Sequence, residues 1–442
     1  MKNKILLLAV VLMLSLNACQ MEKTEQIPPL IDRELFFDDP LISGARLSPD
    51  GAFISFLRPH NGTRNIWVKA READFEEAIP VTAETARPVS SYFWSRDGRY
   101  LLYAMDKGGD ENFNIFAVDP STATQGHIPE ARNLTDRQGV RAQIYHISRE
   151  DHDLMFVGMN DRDPAWHDLY SLRISSGELQ PVRSNTNRYT SWIFDWNDQL
   201  RMAMRSLQDG TQELWRISPE EESLLFSWSV LETAYPNSFL ADNRHFYMVS
   251  NLGEEVDLTR LYKVDIETGE KVFVEQDPQG RADFGGMFIS DKTLELLFTS
   301  YTDEKTRRYF RNQEMEAYFA FISRELPERE ISLFSPTADE RFWLVSAWSD
   351  TDPGSVYLFD AIEKSLSFQY QPRPDIPTEH LSPMRSIRYP SSDGLEIQAY
   401  LTMPKGFGER NLPLIVVPHG GPWARDYWGF DPYAQLMANR GY

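Results

Sequence analysis

The feature that most constrains this chain is a hairpin written seven times. "LSPDGAFISFLRPHNGTRNIWVK" from Leu47 and "WSRDGRYLLYAMDKGGDENFNIFAVDP" from Trp94 share one plan. Each has a tight Asp-Gly turn, an apolar and aromatic strand, a polar turn and a second strand. The plan returns from Ile147, Phe194 and Phe239, and in weaker form from Phe288 ("FISDKTLELLFTSY") and Phe334. Copies spaced by roughly 45–53 residues, each with room for about four short strands, predict a β-propeller of seven blades rather than a helical solenoid. One four-stranded sheet cannot bury both of its faces alone, so radial neighbours cover them and closure of the ring protects the edges. Tyr100–Met105 is almost continuously apolar, as a strand held between two blades requires, and Asn133-Leu134-Thr135 is an outer-strand candidate. The many Trp and Tyr side chains are assigned to packing between blades.

A chain of 442 residues exceeds what a single core organises, so two folded regions are expected. Sixty-six acidic against 45 basic residues give a net charge of -21 with no compensating basic cluster, which argues against nucleic acid as a partner. At the N-terminus Lys2 and Lys4 precede the apolar run Ile5–Leu14, too short to span a bilayer core of roughly 30 Å. It reads as an export signal occupying residues 1–18. Leu16-Asn17-Ala18-Cys19 resembles the bacterial lipobox, which implies lipidation of Cys19 and a lipid anchor in a bacterial membrane. Gln20 after it favours the outer membrane, with the protein facing the periplasm or the cell surface. Cys19 is the sole cysteine, so no intramolecular disulfide supports the fold.

Residues 19–45 form an N-terminal segment and 46–370 the propeller. Within it, Lys107-Gly108-Gly109-Asp110-Glu111-Asn112 and Asp161-Arg162-Asp163 are acidic hairpin loops, read first as solvated turns. His127, His146, His152, His167 and His245 lack metal-ligand spacing, and no metal or cofactor is expected.

The proline-rich stretch 371–383, beginning Gln371-Pro372-Arg373-Pro374, suits neither strand nor helix and serves as a linker. From Met384 the pattern changes. "MRSIRYPSSDGLEIQAYLTMPKG" is a hairpin, Leu414-Ile415-Val416-Val417 a short strand of the kind buried on both faces, and His419-Gly420-Gly421-Pro422 a glycine turn. Pro432 suits a first helical turn, Tyr433, Leu436 and Met437 share one face, and Gly441 ends the segment. Hairpin, buried strand, glycine turn and helix, in that order, are expected to open an α/β-hydrolase over residues 384–442. The predicted class is therefore mainly β: a seven-bladed propeller followed by the first part of an α/β-hydrolase domain.

"VVPHGGPWARDYWGFDPYAQLMANRGY" resembles the start of the catalytic domain in the prolyl oligopeptidase family of serine peptidases, in its acylaminoacyl-peptidase and dipeptidyl-aminopeptidase branch. The resemblance implies acyl transfer on short peptides, with the propeller restricting access. In α/β-hydrolases one oxyanion donor is the amide after the nucleophile and another comes from the loop after the third strand. Gly420 and Gly421 are placed for that second donor, the Gly421 amide by resemblance, while His419 and Pro422 shape the loop. Glu111 is a conceivable partner for a substrate amine. No Gly-x-Ser-x-Gly occurs in the sequence, so the Ser, Asp and His of a triad are expected beyond Tyr442, and the 442 residues alone are expected to be inactive. Arg440-Gly441-Tyr442 reads as an interruption of a longer protein. An esterase of the same fold and a non-catalytic envelope propeller that binds a protein or peptide stay open as alternatives. So do the form of the substrate N-terminus and the oligomeric state.

Overall fold

A computed structural model describes residues 26–253, 256–421 and 423–442. Cys19 and Pro422 lie outside the described residues. Two compact units emerge among the described residues: one comprises Asp39–Trp348 and Gly354–Pro374, the other 26–38, Ser349–Pro353 and Asp375–Tyr442.

The larger unit carries seven antiparallel sheets in chain order, spanning 43–80, 92–133, 142–183, 189–228, 234–275, 284–310 and 330–370. These are the seven blades of a propeller. Every blade is built from strands that follow one another in sequence, so no blade mixes the beginning of the propeller with its end. What closes the ring is chiefly side-chain packing, joined at the seam of blades seven and one by a bond from the Ala338 amide to the Pro49 carbonyl at 2.8 Å. Seven apolar clusters among the described residues each bridge one pair of neighbouring blades. The cluster uniting blade seven with blade one holds Leu344, Val356 and Leu358 against Leu47, Ile54 and Phe56.

The recurring turn has a chemical basis. Ser48 Oγ donates to Asp50 Oδ1 at 2.5 Å while accepting from the Phe53 amide at 2.9 Å. Ser95, Asp97 and Tyr100 repeat this arrangement in blade two, and Thr337, Asp339 and Phe342 in blade seven. A hydroxyl and a carboxylate two residues apart thus satisfy the amides that the tight turn leaves unpaired. Gly51 stands there at φ +71°, where an added Cβ would lie 2.9 Å from Thr337 Cγ2.

Three α-helices stand among the described residues: α1 (Arg33–Phe37), α2 (Gln313–Glu325) and α3 (Pro432–Ala438). Helix α2 departs from the repeat. Blade six has three strands instead of the four expected, and its edge strand Thr306–Phe310 is followed by α2. Asn312 caps the helix by accepting from the Met315 amide at 2.9 Å. Met315, Phe319 and Ile322 then bury themselves between blades six and seven. Their i, i+4, i+7 spacing is that of an amphipathic helix.

In the smaller unit the hairpin Met384–Pro390 with Glu396–Thr402 is in continuous register. Helix α3 begins at Pro432 as its sequence predicts, with Asp431 accepting from the Ala434 amide at 2.7 Å. Its buried face is not the expected one. Gln435 and Ala438 are buried, whereas Tyr433 is 61% exposed. The amides of Gln435 and Asn439 decide this orientation. Gln435 accepts from the Ser382 amide at 2.9 Å and donates to the Ser382 carbonyl at 2.7 Å and the Asp350 carbonyl at 3.0 Å. Asn439, one turn later, accepts from the Ile31 amide at 2.8 Å and donates to the Pro29 carbonyl at 3.0 Å. Extended backbone without a strand partner finds its bonds here. Gln435→Ala is expected to leave two buried backbone groups of Ser382 and the half-buried Asp350 carbonyl without this partner, costing about 2–3 kcal/mol locally. Hydrogen exchange at the Ser382 amide checks this, rising at least tenfold while the propeller amides are unchanged.

Candidate active site

The hairpin Met384–Pro390/Glu396–Thr402 anchors the segment that carries the glycine turn. Trp428 Nε1 donates to the Met384 carbonyl at 3.1 Å, and the Arg425 guanidinium approaches the Tyr400 hydroxyl at 3.5 Å while lying 5.3 Å from the centre of the Tyr427 ring. Sequence reasoning missed both Trp428 and Arg425, because Trp428 is one of several aromatic residues in Trp423–Asp431 and nothing in the spacing marks which of them anchors the loop.

The turn itself is open. His419, Gly420 and Gly421 are exposed, and among the described residues the amides of Gly420 and Gly421 donate to no protein acceptor. Gly421 holds φ +142°, and a Cβ there would lie 2.9 Å from the Trp423 amide nitrogen and 3.3 Å from Ala424 Cβ. A side chain at this position is strained by both its dihedral and its neighbours. Around Gly420, by contrast, a Cβ would meet nothing within 4 Å. His419 Nδ1 lies 3.0 Å from the Gly420 carbonyl oxygen. A carbonyl can only accept, so this contact places the ring proton on Nδ1 and uses the imidazole to hold the turn.

Leu414–Val417 corrects the expectation of a buried strand. No strand is formed there, and Leu414, Val416 and Val417 are 74%, 75% and 70% exposed. A central strand needs a partner on each edge, and the hairpin pairs only with itself.

Glu111 belongs to the other unit. It sits in the hairpin between strands Leu101–Met105 and Asn114–Val118 of blade two, exposed, with φ +59°. Its amide donates to the buried carboxylate of Asp106 at 3.2 Å, and Asp106 is paired with Arg87 at 3.2 Å. Asp110 organises the same loop by accepting from the amides of Lys107 and Asn112. Bonds from the Asn112 side chain and amide hold its carboxyl below the usual range. A glutamate kept in the left-handed region by a buried anchor is a local strain that needs such support. The loop at Asp161 is satisfied internally: Asp161 accepts from the Tyr170 hydroxyl at 3.0 Å and pairs with Arg137, and Arg162 grips Asp168 at 2.6 and 2.8 Å. His146 and His245 are bound to Asp198 and Asp242 at 2.6 and 2.7 Å.

Against known proteins, the chain is 30% identical over 429 residues to dipeptidyl aminopeptidase BIII of Pseudoxanthomonas mexicana, covering 93% of this chain and 60% of that protein. Its relatives are peptidases of the prolyl oligopeptidase family. Dipeptidyl peptidase family member 6 of Caenorhabditis elegans is 26% identical over 447 residues, again with 93% of this chain and 60% of the relative covered. The chain therefore spans 60% of the length of these curated relatives. An acylaminoacyl peptidase from Pyrococcus horikoshii shares the fold at a TM-score of 0.59 and 17% identity, over 94% of this chain and 66% of that one. No family model matches the sequence. Members of this family named among its relatives are peptidases, as the glycine turn after the hairpin leads one to expect.

Proposed function

We propose that the chain is the N-terminal portion of an exported, lipid-anchored serine exopeptidase acting on short peptides. The observation that carries this reading is the open glycine turn, whose unbonded amides belong to a chain 30% identical to a dipeptidyl aminopeptidase. A main-chain donor free of acceptors among the described residues suits a developing oxyanion, because its bond can form in the transition state at no cost in a broken contact. The chemistry they serve is acyl transfer: a serine hydroxyl attacks the scissile carbonyl, a histidine takes its proton and returns it to the leaving amine, and an aspartate orients that histidine. These three groups would come from residues following Tyr442. Glu111, presented by its strained hairpin, is the group proposed to meet the substrate's free amine. Lys2, Lys4, the apolar run and Cys19 support export and lipidation at the membrane.

The test uses the longer reading frame that contains this chain. Unblocked dipeptidyl anilides are expected to be hydrolysed and a fluorophosphonate to label one serine. Gly421→Ala in that protein keeps the amide but forces the strained backbone to move it, and should lower kcat by about 10²–10³-fold with little change in KM, as a misplaced oxyanion donor does. Absence of both hydrolysis and labelling would overturn the enzymatic reading and leave the propeller as a binding module. Activity confined to small acyl esters would reassign the substrate.

A further inference from the structure

Blade six makes a contact that ring order forbids to neighbours. Asp291 lies in the turn joining the first two strands of blade six, Arg96 in the corresponding turn of blade two and Arg149 in that of blade three. Arg96 Nη1 donates to Asp291 Oδ2 at 2.6 Å. Arg149 Nη1 donates to Asp291 Oδ1 at 2.5 Å and its Nη2 to the Asp291 carbonyl at 2.6 Å. Beneath this cluster, Arg149 Cζ stands 5.1 Å from the ring centre of Trp196, in the first turn of blade four.

In a ring of seven, blade six packs on blades five and seven, as its two apolar clusters show. A bond from it to blades two and three has to pass over the axis. All of these turns join an innermost strand to the second strand of its blade, so they share one mouth of the central channel. We infer that Arg96, Arg149 and Asp291 form an ionic crossbar that closes this mouth and braces a ring whose first and last blades share no strand.

The stoichiometry gives the crossbar its character. One carboxylate holds two guanidinium groups, so its removal does more than delete two bonds: it leaves two like charges facing each other. The three side chains are 28%, 22% and 55% exposed, so salt screens the cluster and its strength falls steeply with ionic strength.

The whole chain, with Cys19→Ser so that no other thiol is present, tests this directly. Arg96→Cys and Asp291→Cys together are expected to be joined by a short bis-maleimide in most molecules, read as one added linker and no free thiol by intact mass. A folded double variant that takes up two separate reagent molecules instead would overturn the proposal. Because cysteines replace the crossbar itself, a second arm keeps the charges. Asp291→Asn and Arg149→Ala are each expected to lower Tm by about 1–3 °C at low salt. Their combination should lower it by less than the sum, and the coupling should vanish in 1 M salt, where the Debye length is about 3 Å. Additive, salt-insensitive losses would also sink it.

Discussion

Trp343→Ala is expected to cost about 3–5 kcal/mol, the range for truncating a buried Trp. Trp343 is 1% exposed, its Nε1 donates to the Glu340 carbonyl at 2.7 Å, and its ring centre lies 5.5 Å from that of Phe288. It stands where blades six and seven meet α2. The loss should be large because Trp343 also lines a partly open pocket of about 340 Å³ with Leu297, Met315 and Tyr318, so its removal adds to space already unfilled. Urea unfolding followed by circular dichroism checks the figure. Trp343→Phe, which keeps one aromatic ring in place but drops the indole donor and the fused five-membered ring, should lose about 1–2 kcal/mol. Equal losses for the two variants would show that the hydrogen bond, not the packing, matters here.

Asp277→Asn is the second large effect, and it carries a pH signature. The Asp277 side chain is fully buried, held by Arg307 at 2.8 and 2.9 Å and by the amides of Gln279, Arg281 and Ala282 at 2.8–3.1 Å. Burial alone would raise its pKa. The Arg307 guanidinium and the converging amides outweigh burial and hold the carboxyl down at about 2. An unfolded aspartate titrates near about 3.9. A depressed folded value stabilises above the unfolded pKa, and that stability drains away as pH falls from about 5 through 2. The carboxylate is thus expected to contribute about 2–3 kcal/mol at neutral pH. Asp277→Asn should lose about that amount at pH 7, and more where it leaves the Arg307 charge unpaired. Its stability should also fall less steeply than the parent's between pH 5 and 2, as read from urea midpoints. Parallel acid profiles would contradict the assignment.

The sequence exposed the propeller because its turns are chemical. Ser-x-Asp-Gly at 48–51 and 95–98 satisfies its own amides through side chains only two residues apart, so each blade announces itself locally. The fourth strand of blade six was expected and replaced by α2. The signal was present in Asn312 before Gln313-Glu314-Met315, with Met315, Phe319 and Ile322 at helical spacing, but the repeat period outweighed it. Leu414–Val417 misled for a different reason. An apolar run states what a segment would bury, whereas a strand exists only when another edge supplies its bonds. The glycine turn was legible as a position, but the openness of its amides was not. That depends on which acceptors the rest of the unit brings near, and neither composition nor spacing encodes them. The crossbar was equally invisible, since Arg96 and Asp291 are 195 residues apart and look like ordinary turn charges.

The clamp at Asn439 has a temporal side. Its bond to Ile31 joins residues 408 positions apart. At a synthesis rate of roughly 5–20 residues per second, Ile31 and Phe36 leave the ribosome about 20–80 seconds before the helix that shelters them. All seven blades can close in that interval. The earliest apolar side chains of the smaller unit must therefore wait for a partner made 408 positions later, and that interval is when a chaperone would have something to hold.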